Sequence, residues 1–337
     1  MPALPSQGER QWWIQPACAT FSTLWVIMAY LPLVNDHQGV GAMVKWRDGR
    51  RSDNVEDRRG AGGAVAGSGA LLMLLRFVIG RFGIRGVMFL GIVGVGLYMA
   101  GVNPVSLLQG GSVSSGTQTA AVDDESSQFV SAVLAETEVV WGQIFQDAGS
   151  TYQEPNLVMF SGSVSSACGH ATAAAGPFYC PADQKTYLDV SFFQELSKRF
   201  GAPGDFAAAY VIAHEVGHHI QTITGTSQQV RTAQQRASGQ SEANLYQVKM
   251  ELQADCYAGV WANRAERVSD FLDDGDIEEG LRAAAAIGDD TLQKNAGRRV
   301  TPESFTHGTS AQRQRWFTAG FRTGDVNSCD TFNATAL

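Results

Sequence analysis

Apolar residues recur at helical spacing through the C-terminal two thirds of the chain. Phe129, Val133 and Val140 mark one face of a helix over 124–149, which starts with acidic residues and ends at a glycine. The same reasoning predicts further helices in this part of the chain. They cover residues 191–200, 205–225, 242–267, 277–287 and 310–320.

Strand signals are fewer and shorter. Leu157–Phe160 and Thr186–Val190 are predicted strands, and Phe178–Cys180 is a candidate third strand. The remainder of 161–180 is loop-like, and 227–241 is a polar loop rich in Gln, Ser and Thr. The pattern therefore predicts an α+β domain over 124–337, mostly helical and carrying a small β-sheet.

Residues 86–102 contain no charged side chain, and with their flanks they reach the length of a transmembrane helix. We predict one such helix over 86–106, against the alternative of a buried helix in a soluble domain. The basic residues of 43–85 mark a cytoplasmic head, and 107–123 is a flexible linker. The expected location is the cell inner membrane, single-pass, with the N-terminus cytoplasmic, the lipid bilayer as a partner and the C-terminal domain extracytoplasmic.

Residues 1–42 fit poorly with the rest of the chain. The apolar run Ala17–Val34, interrupted by Pro32, fits a signal sequence, a membrane helix or an interfacial segment. We favour a further reading, in which Met43 is the natural start and 1–42 is a misassigned or non-native extension. A second membrane helix would return the domain to the side on which the chain starts.

Charge is unevenly distributed along the 337 residues. Residues 1–85 hold ten Lys and Arg against six acids, although the whole chain has a net charge of -8. The part beyond residue 85 is therefore acidic, which gives no support for nucleic acid as a partner. Four of the five cysteines lie in the C-terminal two thirds, an even number that suits two disulfides in an exported domain.

The candidate catalytic residues are concentrated in the helix predicted over 205–225. His214, Glu215 and His218 match His-Glu-x-x-His, whose i, i+4 spacing puts both imidazoles on one helix face beside the glutamate. That arrangement is typical of one Zn²⁺ ion with an adjacent general base. Asp205 is a plausible N-cap. Only 206–213 is apolar before the motif, which is too short for an intramembrane protease.

A catalytic zinc ion takes three protein ligands and keeps one position open. The extended motif with a third histidine is excluded, because Thr224 occupies that position. Glu251 and Asp255 share one face of the helix over 242–267. Glu251 is thus the candidate third ligand, and Asp255 is the candidate acceptor for the spare N–H of a ligating histidine. The alternative is a solvated acidic face, which the apolar neighbours disfavour.

Five motifs in order resemble the bacterial neutral zinc metallopeptidase family, whose members are membrane-anchored. They are His-Glu-x-Gly-His-His at 214–219, Glu-Leu-Gln-Ala-Asp-Cys at 251–256, Cys-Gly-x-Ala at 168–171, Gly-Pro-Phe-Tyr-Cys-Pro at 176–181 and Ser-Asp-Asn-Val-Glu-Asp-Arg-Arg at 52–59. The resemblance runs from about Met43 to the C-terminus. It implies a zincin-like metallopeptidase domain of the glutamate-ligand branch, acting on peptide or protein substrates.

The resemblance also implies a role for each matching residue. His214, His218 and Glu251 would be zinc ligands, and Glu215 the general base that takes a proton from the attacking water. For the developing oxyanion the candidate donor is His307, with Arg313 as possible support. The segment around them is similar to His-Pro-x-Thr-x-x-Arg of another membrane-associated zinc peptidase family, with Gly308 in place of proline. Alternatively, His307 caps the following helix or is merely exposed.

The remaining candidates are structural. His219 points about 100° away from His218 on a helix, which favours a structural role. We hypothesise two disulfides. Cys168 is close to Cys180 in sequence, and this pair would close a short loop. The two remaining cysteines, Cys256 and Cys329, would tie the Glu251 helix to the C-terminal tail. A non-enzyme alternative remains, a catalytically silent zinc-stabilised scaffold or binding protein of the cell envelope.

Overall fold

The computed structural model describes residues 44–60 and 124–337. The predictions made for 1–42 and for the membrane helix over 86–106 lie outside these residues, as does most of the predicted linker. Within the two described ranges, no helix combines the length and the apolar character that crossing a membrane requires.

Helices dominate the described residues, in agreement with the predicted mostly helical α+β class. Six of them fall where the apolar spacing predicts helices. A helix replaces the polar loop predicted over 227–241, and a further short helix follows residue 288. In chain order they are α1 Glu125–Asp147, α2 Ser191–Lys198, α3 Asp205–Ile223, α4 Thr226–Arg236, α5 Gln240–Ser269, α6 Asp276–Ala286, α7 Asp289–Asn295 and α8 Ser310–Thr323.

Six strands form a four-stranded sheet and a hairpin. They are β1 Val55–Asp57, β2 Asn156–Phe160, β3 Ser163–Ser166, β4 Gly169–Thr172, β5 Phe178–Cys180 and β6 Lys185–Asp189. The sheet has the order β1-β2-β6-β5, with β5 antiparallel to β6 and the other neighbours parallel. The hairpin β3–β4 lies inside the segment predicted to be loop-like. The three strands predicted from sequence are all present.

Strand β1 makes residues 44–60, the described part of the cytoplasmic head predicted over 43–85, part of the domain itself. Val55 pairs with Leu157 in parallel register, so this segment is an edge of the domain's own sheet. Trp46 is only 2% exposed and packs edge-on against Phe129 of α1. Arg50 forms an ion pair with the buried Glu138. Burial of Val44 and Trp46 ties this segment to the core, while most of its charged side chains stay in solvent, where they cost little.

Helix α3 lies in the middle of the core. It packs against α1, α5 and α6, and its residues from Phe206 to Gln221 are all buried. Alanines fill much of its first half, so neighbouring helices approach closely. Phe206 stacks on Trp261 of α5 with ring centroids 6.0 Å apart. The helix that carries the candidate chemistry is therefore held rigidly on several sides.

Candidate metal centre

The close approach of α3 and α5 brings the two motifs together. Gly217, inside the His-Glu-x-x-His motif, faces Ala254 of α5, and a Cβ added at Gly217 would lie 3.1 Å from the Ala254 Cα. Any larger residue at this position would push the helices apart. This contact places Glu251, one turn before Asp255, opposite the two histidines.

His214, His218 and Glu251 converge on one point. The Nε2 atoms of His214 and His218 lie 3.2 Å and 3.5 Å from Oε2 of Glu251. All three side chains are buried, and their candidate ligand atoms lie within 4.8 Å of one another. Oε1 of Glu251 accepts a hydrogen bond from Gln247 at 2.9 Å, which leaves Oε2 directed at the histidines.

The outer nitrogens of both histidines have oxygen acceptors, which fixes their tautomers. Nδ1 of His214 donates to Asp255 at 2.8 Å, and Nδ1 of His218 donates to the side-chain oxygen of Gln221 at 2.9 Å. Both Nε2 lone pairs therefore face Glu251. Two imidazole nitrogens and a carboxylate oxygen form a donor set that suits zinc. Gln221 was missed by the sequence analysis, although its spacing three residues after His218 places it on the same face.

Asp255 is the centre of a buried polar network. Its two oxygens receive hydrogen bonds from Nε and Nη2 of Arg313, both at 2.8 Å, and one of them also accepts the Tyr210 hydroxyl. Burial alone opposes ionisation, but Arg313 and His214 lower the pKa of Asp255 to about 2. The carboxylate therefore stays charged and holds His214 in place.

Arg313 is buried and lines the cleft, and its guanidinium also donates to Ile287 O at 3.3 Å. Asp255 lies beside His214, as helix spacing predicted. The contacts of Arg313 and Tyr210 with Asp255 were not predicted, because no local pattern links α8 to α5.

Glu215 is 7% exposed and lines a cleft of about 530 Å³ that also reaches Glu251. Burial raises its pKa. An apolar part of the cleft lining, here called the apolar wall, comes from the segment between the hairpin and α3 and from α3 itself. It includes Ala173, Pro177, Phe178, Phe192, Phe200 and Val211.

His307 lies at the same cleft, with half of its side chain exposed. Its Nδ1 is 3.3 Å from Asp289, whose hydrogen bond raises the pKa of His307. The backbone N–H of His307 also donates to Asp289 at 2.6 Å. The cap of α8 is Thr309, so the alternative of His307 as that cap does not apply.

Two further predictions concern residues outside the metal site. His219 is fully buried, donates from Nε2 to Gln153 O at 2.6 Å and contacts the Tyr179 hydroxyl, as expected of a structural residue. The structure contains both hypothesised disulfides, Cys168–Cys180 and Cys256–Cys329. The first closes the loop that carries part of the apolar wall, and the second joins α5 to the C-terminal tail. Asp205 is the first residue of α3, and the cap is Gly204.

The chain was compared with known protein families and with individual proteins. Residues 44–332 match the family described as "Putative neutral zinc metallopeptidase". The chain belongs to this family. It is 46% identical over 294 residues to YpfJ of Escherichia coli (strain K12), covering 86% of this chain and 99% of that protein.

A second relative comes from another bacterial lineage. The chain is 48% identical over 196 residues to Rv2575 of Mycobacterium tuberculosis (strain H37Rv), covering 55% of this chain and 65% of that protein. Both relatives are described as uncharacterized proteins. No solved structure matches the chain. The family therefore agrees with a zinc site, and the chemistry has to be argued from the residues.

Proposed function

We propose that this protein hydrolyses peptide bonds in a zinc-dependent reaction at the cleft beside α3. The observation that carries the proposal is the convergence of both histidine Nε2 atoms on Oε2 of Glu251, with Glu215 next to them. His214, His218 and Glu251 would hold the ion. A zinc ion bound there lowers the pKa of a coordinated water towards about 7 and polarises a substrate carbonyl.

Glu215 would move the proton. Its carboxylate lines the cleft beside the candidate ligands, and burial raises its pKa, which makes it a stronger proton acceptor than an exposed glutamate. It would accept a proton from the attacking water and later deliver it to the leaving amine. Asp255 keeps His214 in the tautomer that directs Nε2 inward.

His307 is our candidate donor to the substrate oxygen that becomes negative. Asp289 raises the pKa of His307, so the side chain carries a proton over a wider pH range than a free histidine. Arg313 supports the site indirectly, since its donors go to Asp255, Tyr210 and the backbone. We assign Arg313 to positioning Asp255.

The substrate would be a peptide or an exposed protein segment. The apolar wall offers burial to hydrophobic side chains on one side of the scissile bond. Attachment to a lipid bilayer through the apolar segment 86–106 stays part of the proposal on the strength of the sequence alone. In this proposal both flanks of the segment lie on one side of the bilayer, because β1 and β2 share one sheet.

The decisive experiment compares the zinc-loaded wild type with Glu215→Gln on a broad peptide library. The variant is expected to keep one zinc per chain and to lose about 10²- to 10⁴-fold in turnover. Glu303→Gln, at an exposed acid, is the matched control and should keep full activity. If the zinc-loaded wild type cleaves nothing, the zinc-stabilised scaffold replaces the peptidase.

A further inference from the structure

A second group of acids lies at the opposite end of α3 from the motif. Asp205 is the first residue of α3, Asp276 is the first residue of α6, and Glu279 follows one turn later. One carboxylate oxygen from each lies within 4.8 Å of the others. Nine residues separate Asp205 from His214, about 13 Å along a helix, so this group is distinct from the zinc site.

Asp276 is fully buried, and half of its carboxylate has no partner. Oδ2 accepts the Asp273 N–H at 2.8 Å, but Oδ1 receives no hydrogen bond from any described residue. Asp205 is also poorly satisfied. Both of its carboxylate oxygens are shielded from solvent and lack a well-formed hydrogen bond within the described ranges, although the backbone N–H groups of Val44 and Phe206 lie near enough to lower its pKa against the effect of burial. An ionised carboxylate left in this condition is costly.

Two other buried acids of this fold are compensated by a cation together with neutral donors. Asp255 receives Arg313, Tyr210 and His214. Glu138 receives Arg50, Ser52 and Asn54. In both examples a cation and at least two neutral or imidazole donors surround the buried carboxylate.

Two of the three acids in the group lack such a cation. In residues 44–60 and 124–337, no Lys, Arg or His forms an ion pair with Asp205 or Asp276. Arg282 lies 4.0 Å from Glu279, with half of its own side chain exposed. Burial, together with the charges of Asp205 and Glu279, raises the pKa of Asp276 to about 7.

Glu279 is the best satisfied of the three acids, since its Oε2 accepts the Phe206 N–H at 3.2 Å at the start of α3. This approach depends on Gly204, which has a φ of 119°, and a Cβ there would lie 1.8 Å from the same oxygen. The dipole of α3 compensates part of one negative charge. Asp205 and Asp276 receive compensation only from backbone N–H groups and helix dipoles, and neither has a cationic partner among the described residues.

We propose that Asp205, Asp276 and Glu279 bind one hard divalent cation, with Ca²⁺ as the expected ion. The side-chain donors are all carboxylate oxygens, which hard cations prefer and which zinc uses less readily than nitrogen or sulfur. Ca²⁺ accepts irregular coordination, whereas Mg²⁺ demands near-octahedral geometry and retains water. The cation supplies the positive charge that the unpartnered oxygens of Asp205 and Asp276 lack.

Such an ion would fasten the first turn of α3 to the first turn of α6. Because α3 carries both histidine ligands and Glu215, the cation would stabilise the start of the catalytic helix without touching its chemistry. The site is independent of the peptidase proposal, and its test needs no peptide substrate.

The test uses the full chain, loaded with one equivalent of zinc and freed of other divalent ions. Bound calcium is counted by equilibrium dialysis, and the melting temperature Tm is followed during a CaCl₂ titration. The wild type should bind one Ca²⁺ per chain and gain about 5 °C or more at 100-fold excess over Kd. Asp276→Asn should weaken calcium binding about tenfold or more.

Matched variants separate the site from a general charge effect. Glu278→Gln removes an exposed acid from the same helix and should bind calcium as the wild type does. Asp205→Asn serves as a second ligand variant if Asp276→Asn folds poorly. If Mg²⁺ or Mn²⁺ binds and Asp276→Asn abolishes that binding, the cation site is supported and its ion is not Ca²⁺.

Two outcomes overturn the proposal. The first is a wild type that binds none of these ions. The acids would then share a proton, and Asp276→Asn should raise Tm in metal-free buffer because it removes a buried charge. The other is undiminished calcium binding in both Asp276→Asn and Asp205→Asn.

Discussion

Nδ1 of His214 donates to Oδ1 of Asp255 at 2.8 Å, and the same carboxylate is held by two bonds from Arg313. Replacing Asp255 with Asn puts an amide NH₂ against either the guanidinium or the imidazole N–H. We expect Kd for zinc to rise about 10- to 100-fold. Competition with a chromophoric chelator measures this change.

The control for Asp255→Asn is Glu215→Gln, which removes a nearby charge but neither a ligand nor a partner of one. It should keep the wild-type zinc affinity. Equal zinc affinity in Asp255→Asn and the wild type would show that Asp255 does not position His214.

His307 should act on turnover and not on the metal. His307→Ala is expected to lower kcat about 10- to 100-fold, because one donor to the developing oxyanion is lost, while zinc content stays at one per chain. Steady-state kinetics on the best library peptide separates kcat from KM. His170→Ala, at an exposed histidine of β4, is the matched control. A rise confined to KM would assign His307 to substrate binding.

The segment 44–60 should contribute to stability as core residues do. Trp46→Ala removes a nearly buried ring that packs on Phe129, and we expect it to lower the free energy of unfolding by about 3–5 kcal/mol. Urea denaturation measures the change, and Asp48→Ala at an exposed neighbour should alter it by less than about 0.5 kcal/mol. A fragment that begins after residue 60 loses β1 and should be less stable than the full chain. If Trp46→Ala has the same urea midpoint as the wild type, residues 44–60 contribute little to the stability of the domain.

Asp276 should give the calcium-free protein a specific pH dependence. Its pKa is raised to about 7 in the folded state, from an ordinary value of 3.8, so the folded state binds more protons than the unfolded state between these values. Stability must then fall as pH rises from about 4 to 7, by up to a few kcal/mol. Thermal unfolding across this range should show a steeper decline for the wild type than for Asp276→Asn. Parallel profiles would argue against a raised pKa.

The sequence predicted most helices because apolar spacing reports a buried face directly. It missed α4, since only Ser227 and Val230 of that helix are buried and its other residues read as a polar loop. It missed β1 because Val55–Asp57 is short, charged and stabilised by pairing with β2, almost a hundred residues later. Tertiary pairing of this kind leaves no local periodic signal.

Within the site, local spacing was sufficient where two residues share one helix. His214 with His218, and Glu251 with Asp255, follow from i, i+4 geometry. The contacts of Arg313 and the meeting of Asp205 with Asp276 join residues from different helices, and only the packed structure reveals them. The zincin-like assignment stays a prediction.

Strand β1 also constrains how the protein can be inserted into a bilayer. Residues 55–57 hydrogen-bond to residues 157–159, so the chain that leaves the domain at residue 60 re-enters it at residue 124 in the same compartment. If the intervening segment attaches the protein to a bilayer, both of its ends have to lie on the same side, because both belong to one domain. The single crossing expected from the sequence does not meet that condition. The domain that holds the candidate zinc site and its strand β1 therefore lie on the same side of any membrane.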